Sequence, residues 1–200
     1  RAAAAAEDRG VDADDFADLP AFHSMGAEMS YREFDAASRA FGAWLQKTAQ
    51  LKRGDRVALM MPNLIQYPIA LFGALRAGLV VVNTNPLYTP RELEHQLKDS
   101  GATAIVVLEN FAHTLEQVIG ATQVRTVITT QIGDRLSPLK RLLDNAVVKY
   151  GKKMVPHWNL PGAIEFNAVV DVGRTLTLDE VSLSRDDLAF LQYTGGTTGL

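Results

Sequence analysis

Cysteine is absent from the 200 residues. That excludes a disulfide scaffold, a thiol nucleophile and thiolate metal ligation, and it agrees with a cytoplasmic setting. Long apolar runs are also missing. The most apolar stretch, Ile69–Val82, is interrupted by Arg76 and falls short of the ~18 apolar residues that a membrane-crossing helix needs. There is no excess of basic charge: 20 Lys and Arg stand against 23 Asp and Glu, for a net charge of -3 and a pI of about 5.8. The chain as a whole therefore carries no electrostatic footprint for nucleic acid. Histidine is sparse. His23, His95, His113 and His157 include no i, i+4 pair, which argues against a zinc site. No G-x-S-x-G elbow, Walker A spacing or G-x-G-x-x-G is found, so the hydrolase and nucleotide-binding motifs of those types are excluded.

What is present fits a globular chain: 47% hydrophobic and 22% charged residues, in a length that hides roughly 70% of its unfolded surface. Ala2–Ala6 is too short for a signal-peptide core and is followed by Glu7 and Asp8. The chain opens on Arg1 and stops at Leu200 directly after a Gly/Thr cluster, so we read it as a piece of a longer protein. Residues 1–18 form a poorly defined acidic segment.

Local signals then recur along residues 19–200. Met25-Gly26-Ala27, flanked by 21–24 and 28–29, predicts a hairpin. Ser30-Tyr31-Arg32-Glu33 and Thr89-Pro90-Arg91-Glu92 are capping boxes that predict helix starts, the second reinforced by proline at the first helical position. Phe34, Ala37, Phe41, Trp44 and Leu45 mark one buried helical face. Further helices are expected over 68–77 and 111–119. Apolar runs at 57–61, 79–82, 104–108, 126–130 and 188–193 predict strands buried on both faces. Their alternation with helices predicts an α/β fold with a parallel sheet layered by helices. Asn83-Thr84-Asn85-Pro86 follows a buried strand at the end where α/β sites usually lie; turn chemistry accounts for it equally well, and it is assigned no catalytic role. Glu92, Glu94 and Asp99 could suggest acid–base work, but capping accounts for Glu92 more simply.

The chemically informative feature is the last strand running into Thr194-Gly195-Gly196-Thr197-Thr198-Gly199. Glycines let successive backbone N–H groups converge on one concavity, and threonines add hydroxyl donors. A phosphate held there would meet charge-assisted hydrogen bonds worth roughly 1.5–3 kcal/mol each. A flexible turn is the competing reading of the same composition.

Tyr193-Thr194-Gly195-Gly196-Thr197-Thr198-Gly199-Leu200 resembles the phosphate-binding signature of the adenylate-forming superfamily, which includes acyl- and aryl-CoA ligases, luciferases and peptide-synthetase adenylation domains. The chain ends ahead of the Lys-Gly pair expected after it. Residues 62–102, with NTNPLYTPRELEHQL as the most specific part, and PLKRLLDNAVVKYGKKMVPHWNLPGA at 138–163 are similar to the bacterial long-chain fatty-acid–CoA ligases. The resemblance covers residues 19–200 and implies the N-terminal portion of the large AMP-binding domain, cut just after the phosphate loop begins. It implies ATP-dependent formation of an acyl-adenylate, then of acyl-CoA, with release of pyrophosphate and AMP.

The implied cofactors are ATP, Mg²⁺ and coenzyme A. Tyr193 through Leu200 are implied in nucleotide binding, with Thr194 also a magnesium ligand, and no catalytic residue is expected within these 200. The small-molecule partners are a fatty acid, ATP and CoA, with no nucleic acid; a homodimer is a further expectation. Alternatives are a ligase for another carboxylic acid and a non-catalytic nucleotide-binding module. The isolated chain is expected to be inactive.

The basic amphipathic stretch 136–155 has two readings. Its apolar residues Leu139, Leu142, Leu143, Ala146, Val147 and Tyr150 pack on the domain, or they lie on the anionic inner membrane, helped by Lys140, Arg141, Lys149, Lys152 and Lys153.

Overall fold

The computed structural model describes residues 13–136, 138–151 and 154–193. It opens with a 3-10 turn at Ala13–Phe16 and an antiparallel hairpin of β1 (Pro20–Ser24) and β2 (Ala27–Ser30). Met25 and Gly26 join the strands with φ of 54° and 73°, the paired left-handed geometry that two-residue hairpin turns prefer. Helix α1 (Tyr31–Lys47) starts where the capping box places it. The Ser30 hydroxyl accepts from the Glu33 N–H, and the Ser30 N–H donates to the Glu33 carboxylate at 2.8 Å.

The remaining elements are β3 (Arg56–Met60), α2 (Gln66–Arg76), β4 (Val80–Asn83), α3 (Pro90–Ser100), β5 (Ala104–Leu108), α4 (Ala112–Glu116), β6 (Thr126–Thr130), α5 (Pro138–Ala146), β7 (Ile164–Glu165), α6 (Phe166–Gly173) and β8 (Phe190–Gln192). The strands form one parallel sheet in the order β7-β6-β5-β3-β4-β8. This is the layered α/β fold expected. Alternate residues of each central strand face opposite ways. Val57, Leu59, Val81, Val106 and Ile128 join the core under α1, α2 and α6. Ala58, Met60, Val82, Ile105, Val107 and Val127 join a second core with Leu93 and Leu97 of α3 and Ala112 and Leu115 of α4. The runs are apolar throughout because both faces are covered. On the first face Phe41 of α1 stacks on Phe166 of α6, centroids 5.2 Å apart.

Three expectations are corrected, and one pair of elements is new. The helix expected over 111–119 is a five-residue α4 with 3-10 turns at Glu109–Phe111 and Ile119–Ala121; the β-branched Val118 and Ile119 and then Gly120 end it early. The pair β7 and α6 carried no recognised signal. The strand at 188–193 is shorter and not buried on both faces: β8 has only β4 as a neighbour among the described residues, and Phe190 is exposed.

The amphipathic stretch 136–155 contains α5, followed by a π turn at Val147–Gly151, and three of its apolar residues face away from the described domain. Leu142, Leu143 and Val147 are 68%, 55% and 51% exposed. The polar side packs instead. Asn145 accepts from the Gly133 N–H at 2.8 Å and donates to the Gln131 side chain at 2.7 Å. Arg141 Nε lies 3.5 Å from Asp134, and Lys140 Nζ donates to the Met25 carbonyl at 2.7 Å. The side chains of Leu139, Lys149 and Tyr150, and residues 152–153 altogether, lie outside the description.

Candidate functional site

The connections after β3 and β4 leave the sheet toward opposite layers. After β3 the chain enters α2, whose Ile69, Ala70 and Ala74 belong to the first core; after β4 it enters α3, whose Leu93 and Leu97 belong to the second. Neighbouring parallel strands with diverging connections leave a crevice at their carboxyl ends, which is where open α/β sheets take ligands. A cleft of about 220 Å³ lies there, lined by Asn63, Tyr67, Asn83, Thr84, Gln192 and Tyr193 among others. Its walls carry amide and hydroxyl groups.

Local sequence explains how these groups are presented. Pro62 ends β3. Asn85 Oδ1 accepts from the Leu87 N–H at 3.0 Å, an Asx turn that carries the chain from β4 toward α3. The Thr89 N–H then donates to Glu92 at 2.8 Å, Pro90 occupies the first turn, and Gly101 closes the helix at φ 64°. Glu92 is thus a capping group. The hydrogen bonds from Thr89 hold its carboxyl below the usual range. Glu94 pairs with Lys98 and Asp99 accepts from Tyr193, so the three acids expected on this helix serve three separate structural contacts. His95 is exposed.

Asn83, the last residue of β4, is the junction of the cleft wall. Its Oδ1 accepts from the Tyr67 hydroxyl at 2.7 Å, its Nδ2 donates to Gln192 Oε1 at 2.8 Å, and its carbonyl accepts from Gln96 Nε2 at 2.9 Å. Burial pushes the Tyr67 phenol above its ordinary value while the hydrogen bond with Asn83 acts the other way, so it is a neutral donor at physiological pH. Of these residues the sequence points to Asn83 alone, within the Asn83-Thr84-Asn85-Pro86 turn, and gives it no site role.

Of the eight residues expected to bind nucleotide, the structure describes Tyr193 alone; Thr194 to Leu200 lie outside the described residues. Tyr193 lines the cleft, and its hydroxyl donates to Asp99 Oδ2 at 2.5 Å. Burial, then that hydrogen bond and the negative charge of Asp99, push its pKa up to about 12. The last described residue, Tyr193, therefore stands in the cleft wall. For a magnesium ion, which favours one or two carboxylates plus phosphate oxygens, the named wall residues supply no carboxylate. No group of three His, Cys, Asp or Glu among the described residues could hold a metal. These residues do not by themselves fit the ion.

The fold is a layered α/β sheet with a polar cleft at its carboxyl edge, and the chain belongs to the AMP-binding enzyme family, which matches residues 11–200. Within that family it is 60% identical over 185 residues to a long-chain-fatty-acid–CoA ligase of Yersinia pestis, and 60% identical over 183 residues to one of Haemophilus influenzae. In both cases the match covers 92% of this chain and 33% of the relative, so the chain spans about a third of the length of the curated relatives it matches. A 3-hydroxybenzoate/4-hydroxybenzoate–CoA ligase of Thauera aromatica is 28% identical over 171 residues, which is 86% of this chain and 28% of that protein. Among solved structures, the anthranilate CoA ligase AuaEII in complex with anthranoyl-AMP superposes with a TM-score of 0.72 at 21% identity, over 92% of this chain and 31% of that one. A long-chain-fatty-acid-CoA ligase of Archaeoglobus fulgidus gives 0.64 at 24% identity, over 90% and 31%. These two establish the fold.

Proposed function

We propose that this chain is the N-terminal part of the AMP-binding domain of a ligase that converts a long-chain fatty acid to its CoA thioester. The observation that carries the reading is the gap between 60% identity to long-chain-fatty-acid–CoA ligases and 28% identity to the hydroxybenzoate ligase. The fatty carboxylate attacks the α-phosphorus of ATP, and pyrophosphate departs. The thiol of coenzyme A then adds to the acyl carbonyl and AMP leaves, carrying the electron pair of the broken mixed-anhydride bond. A carboxylate is already nucleophilic, so the first step needs alignment and charge neutralisation more than a base. Residues 193–200 would take the leaving phosphates through backbone N–H and threonine hydroxyl groups. Thr194 is the proposed magnesium ligand.

The test is ATP–pyrophosphate exchange by the full-length protein. Exchange that depends on palmitate or oleate, and not on acetate or benzoate, is expected. Exchange only with the short or aryl acids supports the other ligase class, and nucleotide binding without exchange supports a non-catalytic module.

A second reading concerns location. The outward apolar side of α5 and the lysines around it in sequence support peripheral contact with an anionic membrane, the phase into which long-chain acids partition. No helix among the described residues is long and apolar enough to cross a bilayer. Homodimerisation is the remaining proposal about partners.

A further inference from the structure

β8 is held to the sheet by a short ladder. It pairs with β4 through Val81–Phe190, Val82–Leu191 and Asn83–Gln192, and β4 is its only neighbour among the described residues. The final rung is also a side-chain bond, Asn83 Nδ2 to Gln192 Oε1 at 2.8 Å. Asn83 itself is fastened from both layers, by Tyr67 of α2 at 2.7 Å and by Gln96 of α3 at 2.9 Å. Gln96 is buried. Two residues after Gln192 the chain becomes Thr194, the first of the Gly/Thr cluster. The Asn83 side chain, held by Tyr67 of α2, and its backbone carbonyl, held by Gln96 of α3, therefore fix the carboxyl end of β8 at Gln192. Glycines cannot set the direction of the chain beyond it themselves, because they have the widest backbone freedom.

We infer that Asn83 is a positioning residue for the 194–200 segment, acting through Gln192 and not by touching the nucleotide. The inference deepens the ligase reading and rests on it. Its signature is kinetic. Loosening the exit from β8 impairs steps that use ATP and pyrophosphate, and leaves the fatty acid's KM alone. Because Asn83 and Gln192 act through one bond, removing both costs no more than removing either.

The experiment compares full-length wild type, Asn83→Ala, Gln192→Ala, the double variant and Tyr67→Phe, in ATP–pyrophosphate exchange and in thermal melts. Asn83→Ala and Gln192→Ala should each lower kcat/KM for ATP about tenfold, the scale of one lost hydrogen bond. The double variant should also lose about tenfold, not about a hundredfold. Tyr67→Phe, which keeps the ring and deletes one donor, should lose about threefold in the same direction. If Asn83→Ala does not fold, Tyr67→Phe, Gln192→Ala and their double variant replace it: both act through the Asn83 side chain, so their combined loss should fall short of the product of the two. Multiplicative losses, or a lower melting temperature with ATP kinetics unmoved, overturn the inference. Absence of exchange by the wild type overturns the ligase reading and this inference with it; normal wild-type exchange with an unaltered Asn83→Ala overturns this inference alone.

Discussion

Asp134 is a carboxylate placed where water hardly reaches it. It is 8% exposed, and its Oδ2 accepts from the Gln131 N–H at 2.8 Å and the Thr130 hydroxyl at 2.9 Å. Burial is the largest influence and pushes its pKa up. The two hydrogen bonds and Arg141 oppose this, and the Glu165 charge adds to it. A folded-state pKa above the unfolded one means that the group's contribution is fully present below the unfolded value, near 3.8, and is lost as pH rises through the folded value. At pH 7 the ionised group therefore weakens the fold relative to a neutral isostere. Asp134→Asn keeps an acceptor for both donors. It should melt at or above the wild-type temperature at pH 7, with the difference shrinking as pH falls through the titration. A variant that melts several degrees lower at pH 7 would instead mean that the pair with Arg141 dominates. At this scale the sequence is informative only about near neighbours. The Asx turn at Asn85 was legible because its partner is two residues away. Asn83 was not, since its side-chain partners lie 16 and 109 residues away.

Between elements, glycine decides how closely helices approach. Gly173 ends α6 against α1, and a Cβ built there would lie 2.0 Å from the Ala40 carbonyl oxygen and 2.6 Å from its carbon. Backbone cannot swing aside as a side chain can, so Gly173→Ala should force the two helices apart. The expected loss is about 1–3 kcal/mol, measured by denaturant unfolding of the full-length protein. Gly120→Ala is the control: nothing lies within 4 Å of its Cβ position, and its effect should stay within about 0.5 kcal/mol. Equal effects at the two positions would remove close approach as the cause. Elements announced by their own ends were legible in the sequence: both capping boxes, the hairpin turn, and β5 and β6 to the residue. Those defined by tertiary context were not. β7 is two residues long and exists through its pairing with β6. β8 reads as a buried strand because its residues are apolar, yet it lies at an edge of the described sheet.

For the whole molecule, the mounting of α5 is the feature that composition could not decide. Amphipathicity gives two faces without saying which one points inward. Here polar contacts from Arg141 and Asn145 to the turn after β6, and from Lys140 to the hairpin, hold the helix with Leu142 and Leu143 outward. An outward apolar strip flanked by Lys149, Lys152 and Lys153 in sequence suits the boundary of an anionic bilayer, where insertion and charge attraction act together. Each basic residue near such a surface contributes about 1 kcal/mol, an attraction that salt screens within a Debye length. Two variants of the full-length protein separate the two contributions. Leu142→Asp with Leu143→Asp should abolish sedimentation with phosphatidylglycerol vesicles at every salt concentration. Reversing Lys149, Lys152 and Lys153 to Glu should reduce it most at low salt. Both variants should retain ATP–pyrophosphate exchange on a water-soluble medium-chain acid, since these side chains are proposed to take part in lipid contact and not in nucleotide binding. If the leucine variant still binds vesicles as wild type does, the strip faces something other than lipid, and the remainder of the longer protein becomes the surface to test against it.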